Sequence, residues 1–234
     1  MKKSVIFLAV MVLLVPMTFA MAPSDQQNSA AQNQPLYVGI LIQDNVLHVG
    51  TDLPAYRNFI EGLPAGSHVA VAYAQTGSNM IVQPFTTNLA EAAQSVIPPT
   101  GLITMAPGSP YVLVKEFLKT YPATDTGVRK VLIFVSNGLD PDYGSYFQVA
   151  PSSDPYLVQA ISRARKDHVV IYSIYAPGRF ANGVLSFRRG EQLAFSGQGA
   201  LNYLSDQTKG EAFYAGGTYI TARPFLKDIA ARIG

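Results

Sequence analysis

The chain has 234 residues, 48% of them hydrophobic and only 14% charged, which is enough apolar material for a full core and leaves the surface largely to Ser, Thr, Asn, Gln and Gly. Its 17 basic groups exceed its 15 acidic ones by Lys2 and Lys3 alone, so the rest of the chain is formally neutral. That balance argues against the phosphate contacts of a nucleic-acid binder or strong attraction to an anionic membrane, and zero cysteines exclude disulfides, thiolate metal sites and a lipid-modified cysteine.

Residues 1–22 run from Lys2 and Lys3 through the apolar stretch VIFLAVMVLLV to Ala20 and Ala22, which frame an A-x-A site. This is the pattern of a secretory signal peptide and predicts a secreted or periplasmic protein. Pro16 interrupts the apolar run before the roughly 20 residues that a membrane anchor needs. Residues 23–35, PSDQQNSAAQNQP, are polar without an apolar period and are expected to form a flexible leader. A single domain is expected over 36–234.

Within that domain, strand-like apolar runs fall at 36–42, 68–74, 79–83, 130–135, 168–175 and 212–215. Segments with helical spacing fall at 52–62, 87–97, 109–119, 154–167, 190–207 and 222–233. The runs at 130–135 and 168–175 are nearly continuous, as expected of strands covered on both faces. Alternation of strand and helix predicts an α/β fold, a parallel, doubly wound sheet between two helical layers. The pair 68–74 and 79–83 breaks the rule: four residues containing Gly77 join it, which predicts a hairpin with an antiparallel edge strand.

Residues with chemical potential gather after strands. QDN stands at 43–45 after YVGILI, and SNGLD at 136–140 after KVLIFV. Asp140, Asp142 and Asp154 surround a Pro- and Gly-containing turn, GLDPDYGS, without the spacing of a known calcium loop. They are expected to form a solvated turn whose carboxylates bond backbone N–H groups, with Asp154 capping the helix that starts near Pro155. His48, His68 and His168 are far apart, and the last two belong to the amino ends of strands, away from the expected site. Ser136 lacks the G-x-S-x-G frame of a nucleophile elbow. Gly197 and Gly199 lie in a helical segment rather than after a strand, so a kink or tight packing is expected there instead of phosphate binding. The stretch 176–195 interleaves Arg179, Arg188 and Arg189 with Phe180 and Phe187, the composition of interface hot spots or of a long loop tucked onto the core.

The order of elements, together with LPAGSHVAVAYAQTGSNMIVQPFT, RKVLIFVSNG and ALNYLSDQTKGEAFYA, resembles the von Willebrand factor type A domain, particularly in exported bacterial members, over roughly residues 36–233. The resemblance implies a three-layer α/β/α sandwich with strand order 3-2-1-4-5-6 and strand 3 as the antiparallel edge. It also implies a divalent-ion site of the pattern D-x-S-x-S after strand one, a Thr before the third helix and an Asp after strand four. Those positions fall here on Gln43, Asn45, Leu47, Ser109 and Asn137, so both family carboxylates are amides and the site is degenerate. No cofactor is therefore expected, and Mg²⁺ or Ca²⁺ would need a site shifted toward Asp44 and Asp140.

The function expected is non-enzymatic: extracytoplasmic binding of a protein partner through Gln43, Asp44, Asn45, Ser109, Asn137 and Asp140, with Arg188 and Arg189 on the neighbouring loop. The alternatives are the shifted ion site and a secreted enzyme on a doubly wound sheet. The latter would carry a nucleophile elbow, a glycine-rich loop after the first strand or a clustered acid and base, none of which is present.

Overall fold

The structure is a computed structural model that describes residues 34–46, 49–75, 77–98, 108–123, 127–143, 150–178, 187–214 and 221–234. The expected signal peptide and residues 23–33 of the expected leader lie outside the described residues. Pro35, at the end of that leader, is already tied down, its carbonyl accepting a hydrogen bond from Arg129 N at 2.9 Å.

Six strands form one sheet: β1 Leu36–Gln43, β2 His68–Gln75, β3 Ser78–Thr86, β4 Arg129–Ser136, β5 Val169–Tyr175 and β6 Ala212–Phe213. Their order is β3-β2-β1-β4-β5-β6, and every pair is parallel except β2 with β3. Both the order and the antiparallel edge agree with the sequence expectation. Gly77, at φ 77°, supplies the left-handed residue that the connecting turn needs. β3 outruns its apolar core of 79–83 because an edge strand tolerates Pro84, whose missing N–H costs no ladder bond on the open side. The β2–β3 ladder absorbs this with register shifts opposite Val69, Val71 and Ala72.

Helices α1 Val49–Glu61, α2 Leu89–Gln94 and α6 Arg223–Ile233 share one face of the sheet, and α3 Pro110–Leu118, α4 Pro155–Lys166 and α5 Phe187–Gln207 the other. The period of two in the central strands sorts their side chains. Val38, Ile40 and Ile42 meet Tyr56, Ile60 and Ile229 on the first face, while Leu41, Leu132 and Phe134 meet Phe117, Leu157 and Leu201 on the second. Each such fully buried aliphatic contributes about 1.5–3 kcal/mol relative to exposure, so the two-sided sheet is the main source of stability in a chain without disulfides.

Helix boundaries follow local chemistry. The expected 87–97 helix shortens to six residues, opened by Asn88, whose side chain accepts from Glu91 N at 3.2 Å. α4 starts at Pro155 with Asp154 Oδ1 accepting from Tyr156 N at 2.9 Å and Leu157 N at 3.1 Å, the expected cap. α1 begins at Val49 rather than 52, so Asp52 lies inside its first turn; its oxygens accept from Thr221 Oγ1 at 2.7 Å and Ala222 N at 3.1 Å, binding the start of α6 to the first turns of α1.

Candidate functional site

Parallel register fixes the site's frame. β1 and β4 pair through Ile42 and Val135, so Gln43 and Ser136 come side by side at the carboxyl end of the sheet. There Gln43 Oε1 accepts hydrogen bonds from Ser136 Oγ at 2.7 Å and from Asn137 N at 3.3 Å. Ser136 Oγ in turn accepts from Gly138 N at 2.9 Å, and Asn137 Oδ1 accepts from Leu139 N at 2.9 Å, closing an Asx turn. The Tyr111 hydroxyl, two residues into α3, donates to Gly138 O at 2.7 Å. Burial pushes this phenol well above its ordinary pKa, so it stays a neutral donor.

A second cluster adjoins the first. Ser109 stands at the N-cap of α3 but makes no side-chain cap bond; its hydroxyl donates instead to Asp140 Oδ2 in a short contact. Asp140 Oδ1 accepts from Asp142 N at 2.8 Å, and Asp142 Oδ2 accepts from Ser109 N at 2.9 Å. Burial raises the Asp140 carboxyl from 3.8 to about 6, helped by the nearby charges of Asp154 and Asp142, while the bonds from Ser109 and Asp142 N pull it down. Together the clusters join the ends of β1 and β4 to the start of α3.

Two glycines let the backbone close over this corner. Gly138 has φ 68°, and a Cβ on it would lie 2.2 Å from Gly197 O. A Cβ on Gly197 would lie 1.9 Å from Asn137 O. α5 therefore rests its backbone directly on the turn after β4, the tight packing expected at Gly197. Beyond it, the loop after β1 bridges the one after β5 through Val46 and Gly178.

Of the residues singled out from sequence, the structure unites Gln43 with Asn137 and Ser109 with Asp140. Gln43, Asn45, Ser109, Asn137 and Asp140 are all buried, and only Asp44 is half-exposed. Asp44 N donates to Ala74 O at 3.1 Å. Asn45 Oδ1 is buried and meets no hydrogen-bond donor among the described residues. Arg188 and Arg189 open α5 rather than closing the loop before it, since the helix begins at Phe187; their side chains, with Leu47, His48, Arg179 and Phe180, lie outside the described residues. His68 starts β2 and stacks on Tyr37 with ring centroids 4.2 Å apart, while His168 immediately precedes β5. Sequence reasoning missed Ser136 and Tyr111 as members of the network. The signal for Ser136 lay in register, since a polar residue ending β4 must face whatever ends β1.

These donors do not suit a hard divalent cation. Mg²⁺ and Ca²⁺ take six or more oxygens with carboxylate charge among them. Here the positions of the two family carboxylates carry amides, and the oxygens of both amides accept protein hydrogen bonds. Asp140 is engaged by Ser109 and by Asp142 N, and Asn45 offers one amide oxygen. Among the described residues no three acidic, His or Cys side chains group as metal ligands.

The sheet order, the antiparallel edge and the polar corner at the ends of β1 and β4 define the fold of the von Willebrand factor type A domain, and solved structures agree. An aerotolerance-related membrane protein from Bacteroides fragilis, crystallised with multiple mutations to serines, superposes with a TM-score of 0.58 at 12% identity over 85% of this chain and 98% of its own. A von Willebrand factor type A protein from Catenulispora acidiphila gives 0.50 at 15% identity over 86% of this chain and 42% of its own. The pilus adhesin SpaC from Lactobacillus rhamnosus GG, in its open conformation, gives 0.52 at 10% identity over 86% of this chain and 30% of its own. No family model and no curated protein matches the sequence.

Proposed function

We propose that this chain is an extracytoplasmic, non-enzymatic protein-binding domain that engages its partner at the carboxyl end of the sheet without a divalent ion. The observation that carries this reading is the hydrogen-bond network Gln43–Ser136–Asn137 with Ser109–Asp140–Asp142. It links the end of β1, the end of β4 and the start of α3 through protein groups alone, which is the joining an ion would provide. All of the network except Asp142 is buried, so it acts as a rigid base. Contact with a partner falls to the groups above it: Asp44, Leu139, Asp142 and the start of α5, where Arg188 and Arg189 stand. Rigid positioning of exposed loops lowers the ordering cost of binding. The adhesin SpaC shares this fold, which favours a binding role. The apolar run and A-x-A site of residues 1–22 support export.

The test is site-specific photo-crosslinking in cells of the source organism, with the probe at Leu139, which is half-exposed and joins the network only through its backbone, and, as control, at Glu61, an exposed position at the far end of α1. A discrete protein adduct from Leu139, absent from Glu61 and unchanged by EDTA, is the expected result. An adduct lost on chelation and restored by Mg²⁺ would refute ion independence. Equal labelling from both positions would refute the assignment of the face.

A further inference from the structure

A second polar site lies at the opposite end of the sheet. The amino ends of β4 and β5 and the last turn of α6 form a half-open cavity of about 280 Å³, lined among others by Arg129, Lys130, His168, Tyr172 and Arg232. Lys130 is the unusual member: it is a lysine in a central strand, 4% exposed. Among the described residues its ammonium makes one hydrogen bond, to Asp167 O at 3.2 Å. No carboxylate lies within ion-pair distance of it among the described residues. Asp167 is the C-cap of α4, and its own side chain is taken by Arg163.

A helix C-terminus carries only about half a negative charge, and an ammonium has three protons to place. The α4 carbonyl therefore explains where Lys130 points but compensates neither its charge nor its remaining donors, a costly arrangement for a buried cation. The other walls have the same sign. The Arg129 guanidinium donates to Ile233 O in a short contact, and Arg232 pairs with Glu211 at 2.7 Å while lying over the Phe213 ring. His168, with its backbone in the left-handed region at φ 55° after the C-cap of α4, also lines the cavity. Apart from Glu211 beside Arg232, these ionisable groups are cationic or proton-donating. The volume is below the roughly 300–1,000 Å³ typical of drug-sized ligand pockets, which suits a phosphate group or a short carboxylate rather than a nucleotide.

We propose that the cavity at the amino ends of β4 and β5 is a binding site for a small oxyanion, a phosphate or a carboxylate, anchored on Lys130 with Arg129, Arg232 and His168 around it. The site is independent of the partner-binding face and stands or falls without it. The experiment is an amide NMR titration of the full chain at neutral pH with sodium phosphate in one arm and N-acetylglutamate amide in the other, each against sodium chloride at matched ionic strength. Saturable shifts confined to Val128–Val131, His168–Val170 and Ile233 are expected in at least one arm, and the arm that saturates identifies the source of the anion. Lys130→Met is expected to weaken binding about tenfold or more, as loss of a desolvated charge-assisted hydrogen bond does. Should that variant fail to fold, Arg232→Gln combined with His168→Asn, both at the rim, is expected to weaken binding severalfold in a well-dispersed spectrum. Shifts in both arms that do not exceed those with chloride, or saturation unchanged in the variants, would overturn the proposal.

Discussion

Gln43→Met keeps the length and shape of the side chain but removes the acceptor at the centre of the corner. Ser136 Oγ–H, now 2.7 Å from Gln43 Oε1, and Asn137 N–H, at 3.3 Å, would then face a thioether in a buried position. A buried donor left without a partner costs about 1–3 kcal/mol. The Ser136 bond is short and counts fully, whereas the Asn137 bond is long and sits at the low end, so the expected loss is about 2–4 kcal/mol. For a domain of this size each kcal/mol lowers Tm by about 2–4 °C, giving a fall of about 5–15 °C. The chain has no tryptophan, so far-UV circular dichroism during urea and thermal unfolding is the suitable assay. A double-mutant cycle with Ser136→Ala isolates the pair and is expected to show a coupling of about 1 kcal/mol or more. If Gln43→Met stays within about 0.5 kcal/mol of the parent, or if the two changes simply add, the hydrogen bonds do not hold the corner together.

The glycines of the corner are testable by contrast: Gly197→Ala places a Cβ 1.9 Å from Asn137 O and is expected to cost more than about 2 kcal/mol, whereas Gly199, with nothing within 4 Å of its Cβ position, should gain about 0.4–1 kcal/mol on replacement by Ala. Matched urea unfolding of the two variants decides this, and equal effects would contradict the close approach of α5. Because the Asp140 carboxyl is raised from 3.8 to about 6 in the folded state, the folded protein holds that proton more tightly than the unfolded chain. The resulting stability is fully present below about pH 4 and is lost as pH rises through about 6. Asp140→Asn, which lacks this titration, should therefore gain about 2–3 kcal/mol on the parent between about pH 4 and pH 7.5; parallel stability–pH curves would refute the assignment. Asp154→Ala should cost about 1 kcal/mol, the usual value of a helix N-cap, read from its urea midpoint at unchanged slope. If residues 1–22 direct export, N-terminal sequencing of protein recovered from the extracytoplasmic fraction is expected to start at Pro23, after Ala22; an intact Met1 there, or no protein in that fraction, would refute a cleaved signal peptide.

Much of the fold was legible because two-sided burial writes itself into sequence. KVLIFV and HVVIYSIY are apolar at nearly every position only because helices cover both faces of β4 and β5. The turn residues between β2 and β3 specified the antiparallel edge in the same way. Boundaries were less legible where a side chain serves a distant partner: Asp52 reads as the start of α1, yet it holds Thr221 and Ala222, 169 and 170 residues away. In the site, the positions of Gln43, Ser109 and Asn137 could be found from resemblance, but their burial could not. Pairing Ser109 with Asp140 requires the turn after β4 to fold back onto α3, and that depends on Gly138 and Gly197, which are 59 positions apart. Residue types pointed to a polar surface; register and backbone approach made it an interior network.

Isothermal titration of the purified domain with Mg²⁺ and with Ca²⁺, after exhaustive treatment with EDTA, decides whether the corner holds together without an ion. No saturable heat is expected with either ion up to millimolar concentration, and Tm should be the same in EDTA and in excess ion. Stoichiometric binding accompanied by a rise in Tm would contradict this, because an ion that binds only the folded state must stabilise that state.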